Sequence, residues 1–198
     1  MSLTVIKYHR SVTRWEPDAR GRLTQAALEL YVERGYEQTT VAEIAKMAGL
    51  TERTFFRYFA DKREVLFWGA AGLQELLVST VAQAPPSEAP ILTIARAIEA
   101  AGAEFQARRE GAVLRHSVIA ANPELQEREL IKLASLAAAM ASQLRQRGVS
   151  EPSASLSSEA GIAVLKITFD RWINETNPQD LPTLMRTHFA ELKAVTAG

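Results

Sequence analysis

The amino-acid sequence predicts an all-α fold, a small N-terminal helix-turn-helix unit followed by a larger helical body, and three observations predict it. Residues 39–62 read TTVAEIAKMAGLTERTFFRYFADK, two short helical patterns joined at Gly49. From residue 64 onward, apolar side chains recur at steps of three and four, the period of a helix packed on one face. The 198 residues exceed one small domain, so a small unit joined to a larger one fits the length.

Taken in order, residues 1–16 hold Lys7, His9, Arg10 and Arg14 with little apolar periodicity. A flexible basic arm is expected there, either reaching a minor groove or serving as a terminus without a role. The helix-turn-helix unit is placed at residues 17–63. Pro17 suits the first turn of a helix whose stripe is Leu23, Ala26, Ala27 and Leu30, and Gly35 ends it with Tyr36 folding back. Thr40 with Glu43 fits a capping box, in which each side chain bonds the other residue's free amide. Val41, Ile44, Ala45 and Ala48 then form one apolar stripe, and Gly49 suits the left-handed position that turns the chain. Thr51 caps the next helix, in which Phe55 and Phe59, four apart, are expected in the core. Asp61 with Glu64 can cap a further helix. Two short helices around such a turn form the pattern whose second helix enters the major groove of DNA. The residues near its start, Glu52, Arg53, Thr54 and Arg57, then reach base edges, and an arginine holds guanine with two parallel bonds.

This order of residues resembles the DNA-binding domain of TetR-type transcriptional regulators over residues 17–66, about a quarter of the chain. The resemblance implies double-stranded DNA as partner and puts Thr40, Thr51, Tyr58 and Lys62 at phosphate-contacting positions. Two positions depart from the family. Phe56 stands where a tyrosine is common and has no hydroxyl for a phosphate, and Arg53 stands where a small residue is common. Arg53 therefore either sharpens base choice or adds a phosphate contact.

Residues 64–198 are read as the second domain. Residues 65–83 suggest one connecting helix, with Leu66, Phe67 and Trp68 touching the head and Leu73, Leu76 and Leu77 entering the body. The prolines in residues 82–90 break it, and Ile91, Ile94, Ala95, Ile98, Gly102 and Phe105 mark the next helix. Gly111 is expected to separate that helix from a short one holding Arg115, His116, Ser117 and Ile119. Asn122 and Pro123 start a long helix with Leu130, Leu133, Ala137, Met140 and Leu144 before Gly148, and residues 150–158, SEPSASLSS, read as a flexible loop. Ile162, Leu165, Phe169 and Trp172, then Leu181, Leu184, Met185, His188 and Leu192, mark the last two helices.

By resemblance, these last helices pair across a two-fold axis into a homodimer, although their apolar surface could equally be internal core. The body is by the same resemblance an effector-binding and dimerisation domain, and the protein a repressor of a palindromic operator, released by a small hydrophobic effector. Phe105, Arg115, His116, Phe169 and Trp172 are the pocket residues expected, a few polar groups among aromatic walls, with core packing as the alternative for each. The segment from Arg115 to Trp172 also resembles the C-terminal domain of an actinobacterial TetR subgroup of mycofactocin-regulator type.

Charge and composition exclude other classes. Net charge is zero, but residues 1–63 hold eleven Lys and Arg against eight Asp and Glu, so the positive part coincides with the head. With no cysteine there are no disulfides or thiolate metal sites, in keeping with a reducing, cytoplasmic setting. The longest apolar run, residues 65–73, falls short of the roughly 20 residues a membrane span needs. There is no GxGxxG, phosphate loop or HExxH, and His9, His116 and His188 lie far apart, so no enzyme, metal or cofactor is expected. A regulator acting only through protein partners is the remaining alternative.

Overall fold

The computed structural model describes residues 18–175 and 179–197; the expected basic arm with Lys7, His9, Arg10 and Arg14, and Pro17, lie outside the described residues. Every regular element among the described residues is a helix. The head comprises α1 (Ala19–Arg34), α2 (Val41–Met47) and α3 (Glu52–Tyr58), followed by a single turn, α4 (Glu64–Phe67). The body comprises α5 (Ala70–Gln83), α6 (Pro90–Gln106), α7 (Arg109–Ala120), α8 (Pro123–Gln146), α9 (Glu151–Asn174) and α10 (Leu181–Ala197).

Local chemistry explains several helix ends in the head. Asp18 caps α1 by accepting from the Gly21 amide at 2.8 Å, a D-x-x-G start. Gly35 ends α1 at φ +90°, and Tyr36, buried behind it, meets Tyr31 edge-on at 5.2 Å. Asp61 accepts from the amides of Arg63 and Glu64 at 2.8 and 3.0 Å and so starts α4. Burial alone would raise the Asp61 carboxyl, but bonding to Arg63 and its charge hold it below the usual value.

Two cores form. In the head, Leu23, Ala27, Leu30, Ile44, Phe55 and Phe59 meet Val65, Leu66 and Phe67 of α4, and Val118, Ile119 and Leu125 from α7 and α8 join them. The second core holds Leu77 and Val81 of α5, Ile94 and Ile98 of α6, Met140 and Leu144 of α8, Leu165 and Trp172 of α9, and Leu184 and Met185 of α10. The head is thus sealed by side chains from the body, and α7 belongs to both.

Four sequence expectations need correction. The connecting helix expected over residues 65–83 is split into α4 and α5 by a turn at Trp68 and Gly69, whose backbone stays helical in dihedral angle. By length and apolar composition the wider stretch Glu64–Gln83 does reach the measure of a membrane span, with mean hydropathy 1.4, yet Leu77 and Val81 sit fully buried in the body core. Gly111 lies inside α7, and the break before that helix falls at Ala107 and Arg108. Asn122 does hold the N-cap of α8 with Pro123 in its first turn, as expected, while its side chain donates to the Val118 carbonyl at 2.6 Å.

The fourth concerns residues 150–158, which are helical from Glu151 and contribute fully buried Ala154 and Ser158. Pro152 near the start and Glu151 in the first turn are good opening residues. Ser155 spends its hydroxyl on the Glu151 carboxylate at 2.7 Å, which lowers the carboxyl below its usual value. The small residues also let α9 approach α6 closely, since a Cβ at Gly161 would stand 2.2 Å from Ile94 Cγ2.

Candidate nucleic-acid interface and effector cluster

The capping box at Thr40 is complete. Thr40 Oγ1 accepts from the Glu43 amide at 3.3 Å, and Glu43 Oε2 accepts from the Thr40 amide at 2.9 Å. The backbone bond from Thr40, then its hydroxyl, hold the Glu43 carboxyl below its usual value, with Arg34 adding to this from 3.1 Å. The helix α2 closes in a Schellman turn: the Leu50 amide donates to the Ala45 carbonyl at 2.8 Å and the Gly49 amide to Lys46 at 3.0 Å. Gly49 has φ +67°, and Arg22 of α1 donates to the Ala48 carbonyl at 2.5 Å, which ties the turn to the first helix.

Thr51 then accepts from the Thr54 amide at 3.2 Å and starts α3. Phe55 and Phe59, buried and 5.4 Å apart, pin this helix, so its opposite face carries exposed Arg53, Phe56 and Arg57 into solvent, with Thr54 half-buried. The guanidinium of Arg57 folds back along the helix, donating to Tyr58 Oη at 3.0 Å and lying 4.9 Å from its ring centre. Arg20 of α1 sits over the same ring at 5.4 Å and over Trp68 at 5.5 Å, a cation beside the helix end that periodicity could not reveal. A hollow of about 280 Å³ lies there, lined by Arg20, Tyr58, Phe59, Ala60, Glu64 and Trp68.

Lys62 is placed differently from the expected phosphate position. Its ammonium donates to the carbonyls of Tyr36, Glu37 and Thr39 at 2.8, 3.1 and 3.2 Å, and it stands 4.4 Å from the Tyr36 ring centre. Its own carbonyl accepts from Tyr31 Oη at 2.7 Å. All three ammonium protons are therefore engaged in holding the loop between α1 and α2. Burial pushes both tyrosine hydroxyls up, that of Tyr36 to about 12, so they remain neutral at physiological pH.

In the body, four of the five expected pocket residues come together. Phe169 is the hub: Phe105, His116 and Trp172 stand 5.4, 5.9 and 5.8 Å from it. Arg115 is not among them, and that expectation is corrected. Its Nε donates to the Leu66 carbonyl at 2.6 Å, its two terminal nitrogens grip Glu129 at 3.0 and 2.6 Å, and it covers the Phe67 ring at 5.2 Å. The cation beside the aromatic cluster is Arg109, 5.2 Å from the Trp172 ring centre and donating to the carbonyls of Trp172 and Glu175 at 3.3 Å each.

Helical geometry explains the exchange. Arg109 precedes His116 by seven residues and shares its face, whereas Arg115 is rotated about 100° away. That seven-residue spacing was the one signal in the sequence that pointed to Arg109. Two donors in this cluster, Arg109 Nε and Trp172 Nε1, are buried without a partner, and such a loss costs about 1–3 kcal/mol for each group. A larger hollow of about 410 Å³ lies elsewhere, between Tyr31, Tyr36 and Gln38 of the head and Ser117, Val118 and Asn122 of the body.

Comparison with known proteins agrees with this geometry. Residues 23–67 match the profile of bacterial regulatory proteins of the tetR family. The regulator TcmR of Streptomyces glaucescens is 37% identical over 81 residues, covering 41% of this chain and 36% of TcmR. A protein named for regulation of mycofactocin biosynthesis, MftR of Mycobacterium tuberculosis, is 32% identical over 113 residues, covering 52% of each chain. The chain thus spans about a third of the first relative and half of the second. Among solved structures, FadR of Bacillus subtilis in complex with stearoyl-CoA aligns with TM-score 0.64 at 20% identity, over 87% of this chain and 96% of that one. Thermus thermophilus FadR, a TetR-family repressor in complex with lauroyl-CoA, aligns with TM-score 0.53 at 25% identity, over 87% and 92%. By these likenesses the chain carries a helix-turn-helix head, residues 23–67, of the kind found in bacterial regulatory proteins of the tetR family.

Proposed function

We propose that this chain is a ligand-responsive transcriptional regulator, a cytoplasmic repressor that binds a palindromic operator as a homodimer and is released by a small apolar effector. The observation that carries the reading is the recognition helix, anchored by Phe55 and Phe59 with Arg53 and Arg57 facing solvent. Arg53, Thr54 and Arg57 read base edges. Thr40, Thr51 and Tyr58 meet phosphates, and Lys62 serves the same contact by holding the loop that precedes α2. Phe56, 55% exposed on the reading face, suits the methyl group of a thymine.

A dimer is supported by an uncovered stripe on α9, where Leu156, Ala163 and Ile167 recur at helical spacing and are all exposed. Two heads on a two-fold axis then match two half-sites. The effector reading is supported by the aromatic cluster around Phe169 and by acyl-CoA in the solved FadR of Thermus thermophilus. Genomic footprinting of the full chain, followed by titration of the recovered DNA at several salt concentrations, tests the proposal. Two-fold symmetric protected sites with salt-dependent affinity are expected. An absence of any preferred sequence would return the chain to the class of regulators that act through protein partners.

A further inference from the structure

We infer that the cluster around Trp172 is the polar end of an effector site, and that it takes an oxygen acceptor on an apolar ligand, a carboxylate or an acyl carbonyl. The inference rests on the effector reading above and adds the ligand's chemistry. Trp172 is fully buried in the body core, yet its indole N–H has no acceptor. Arg109 Nε, beside the same ring, is buried without an acceptor too.

The remaining Arg109 nitrogens do not neutralise the site. They reach only backbone carbonyls, those of Trp172 and Glu175, and among the described residues no carboxylate side chain pairs with Arg109. The nearby Glu175 carboxylate is taken by Arg171 at 2.6 Å. Two unfilled donors, and a cation paired with no carboxylate side chain among the described residues, therefore lie beside one aromatic cluster of Phe105, His116, Phe169 and Trp172. Donors of this kind are completed by an acceptor and repelled by an ammonium, while the rings take an apolar chain. Free acid and thioester offer the same oxygen, so both belong to the class.

Isothermal titration of the full-length protein with decanoate, decanoyl-CoA, decanol and decylamine, each below its micelle concentration, tests this. Decanoate or decanoyl-CoA is expected to bind about tenfold or more tighter than decanol and decylamine, and the comparison of the two identifies free acid or thioester as the source. Arg109→Met removes the cation, and Trp172→Phe keeps a ring while removing the N–H. Each is expected to abolish that preference. Preference surviving both substitutions, or decylamine binding as tightly as decanoate, overturns the inference. If decanol releases the protein from its footprinted DNA as well as decanoate does, the effector reading stands and the inference falls. If no decyl compound binds or releases DNA, both fall.

Discussion

Arg57 must change position to read DNA, because its guanidinium is bonded to Tyr58 Oη at 3.0 Å and stacked on that ring. In the proposed complex, swinging out exchanges one exposed contact for two parallel bonds to a guanine, which favours the bound form. Arg57→Ala is expected to cost about 1–3 kcal/mol at one base position and to relax choice there, as measured by selection from a randomised operator library. Lys62 should behave otherwise. Replacing it with Met removes three bonds to loop carbonyls, of which that of Tyr36 keeps the Thr39 amide, at about 1–3 kcal/mol of stability. DNA affinity is expected to fall for all sequences while the salt slope stays unchanged, because the ammonium is engaged within the protein. A slope reduced by about one in filter-binding titrations would instead assign Lys62 a phosphate.

At the scale of the element, helix ends decide where the reading helix stands. Thr40→Ala removes the hydroxyl half of the capping box and is expected to cost about 1 kcal/mol in denaturant unfolding at neutral pH. Glu43 adds a pH dependence. Its folded carboxyl lies below its ordinary value of 4.5, so its contribution is present above that value and is lost as pH falls through the folded-state value. The difference between wild type and Glu43→Gln should therefore shrink on acidification below pH 4.5, read by urea titrations across that range. These ends were legible in the sequence because the chemistry is local: Thr40 with Glu43, Thr51 as a cap, and Gly49 at a left-handed turn. The start of α9 was not, because its serines read as loop and the burial of Ala154 and Ser158 is a tertiary fact, although Pro152 and Glu151 are local opening signals. Farther along α9 the helix passes close to α6 at Gly161, and Gly161→Ala, pressing on buried Ile94, is expected to cost about 1–3 kcal/mol in thermal unfolding. Arg109 was passed over for a similar reason. Which arginine of α7 meets Phe169 is settled by that helix's rotation against α9, a tertiary fact that residue type does not carry.

Across the whole molecule, α7 is the element that touches both proposed sites. One face presents Arg109 and His116 to the aromatic cluster, and another holds Arg115 against α4 through the Leu66 carbonyl and the Phe67 ring. Arg128 of α8 covers the same ring at 5.3 Å and pairs with Glu64, so two guanidinium groups clasp Phe67. Val118 and Ile119, two and three residues beyond His116, lie in the head core. A ligand that displaces α7 must therefore shift α4 or break this clasp, and α4 abuts the loop that follows α3. Coupling of this kind is reciprocal: DNA weakens effector binding by the factor with which effector weakens DNA binding. Arg115→Met keeps the apolar cover on Phe67 but removes the bonds to Leu66 and Glu129. Effector affinity measured with and without operator should differ by about 5–150-fold in the wild type, and the ratio should move toward one in Arg115→Met while operator affinity changes little. An unchanged ratio would place the coupling in the other α7 contacts with the head, where Val118 and Ile119 carry it through packing alone.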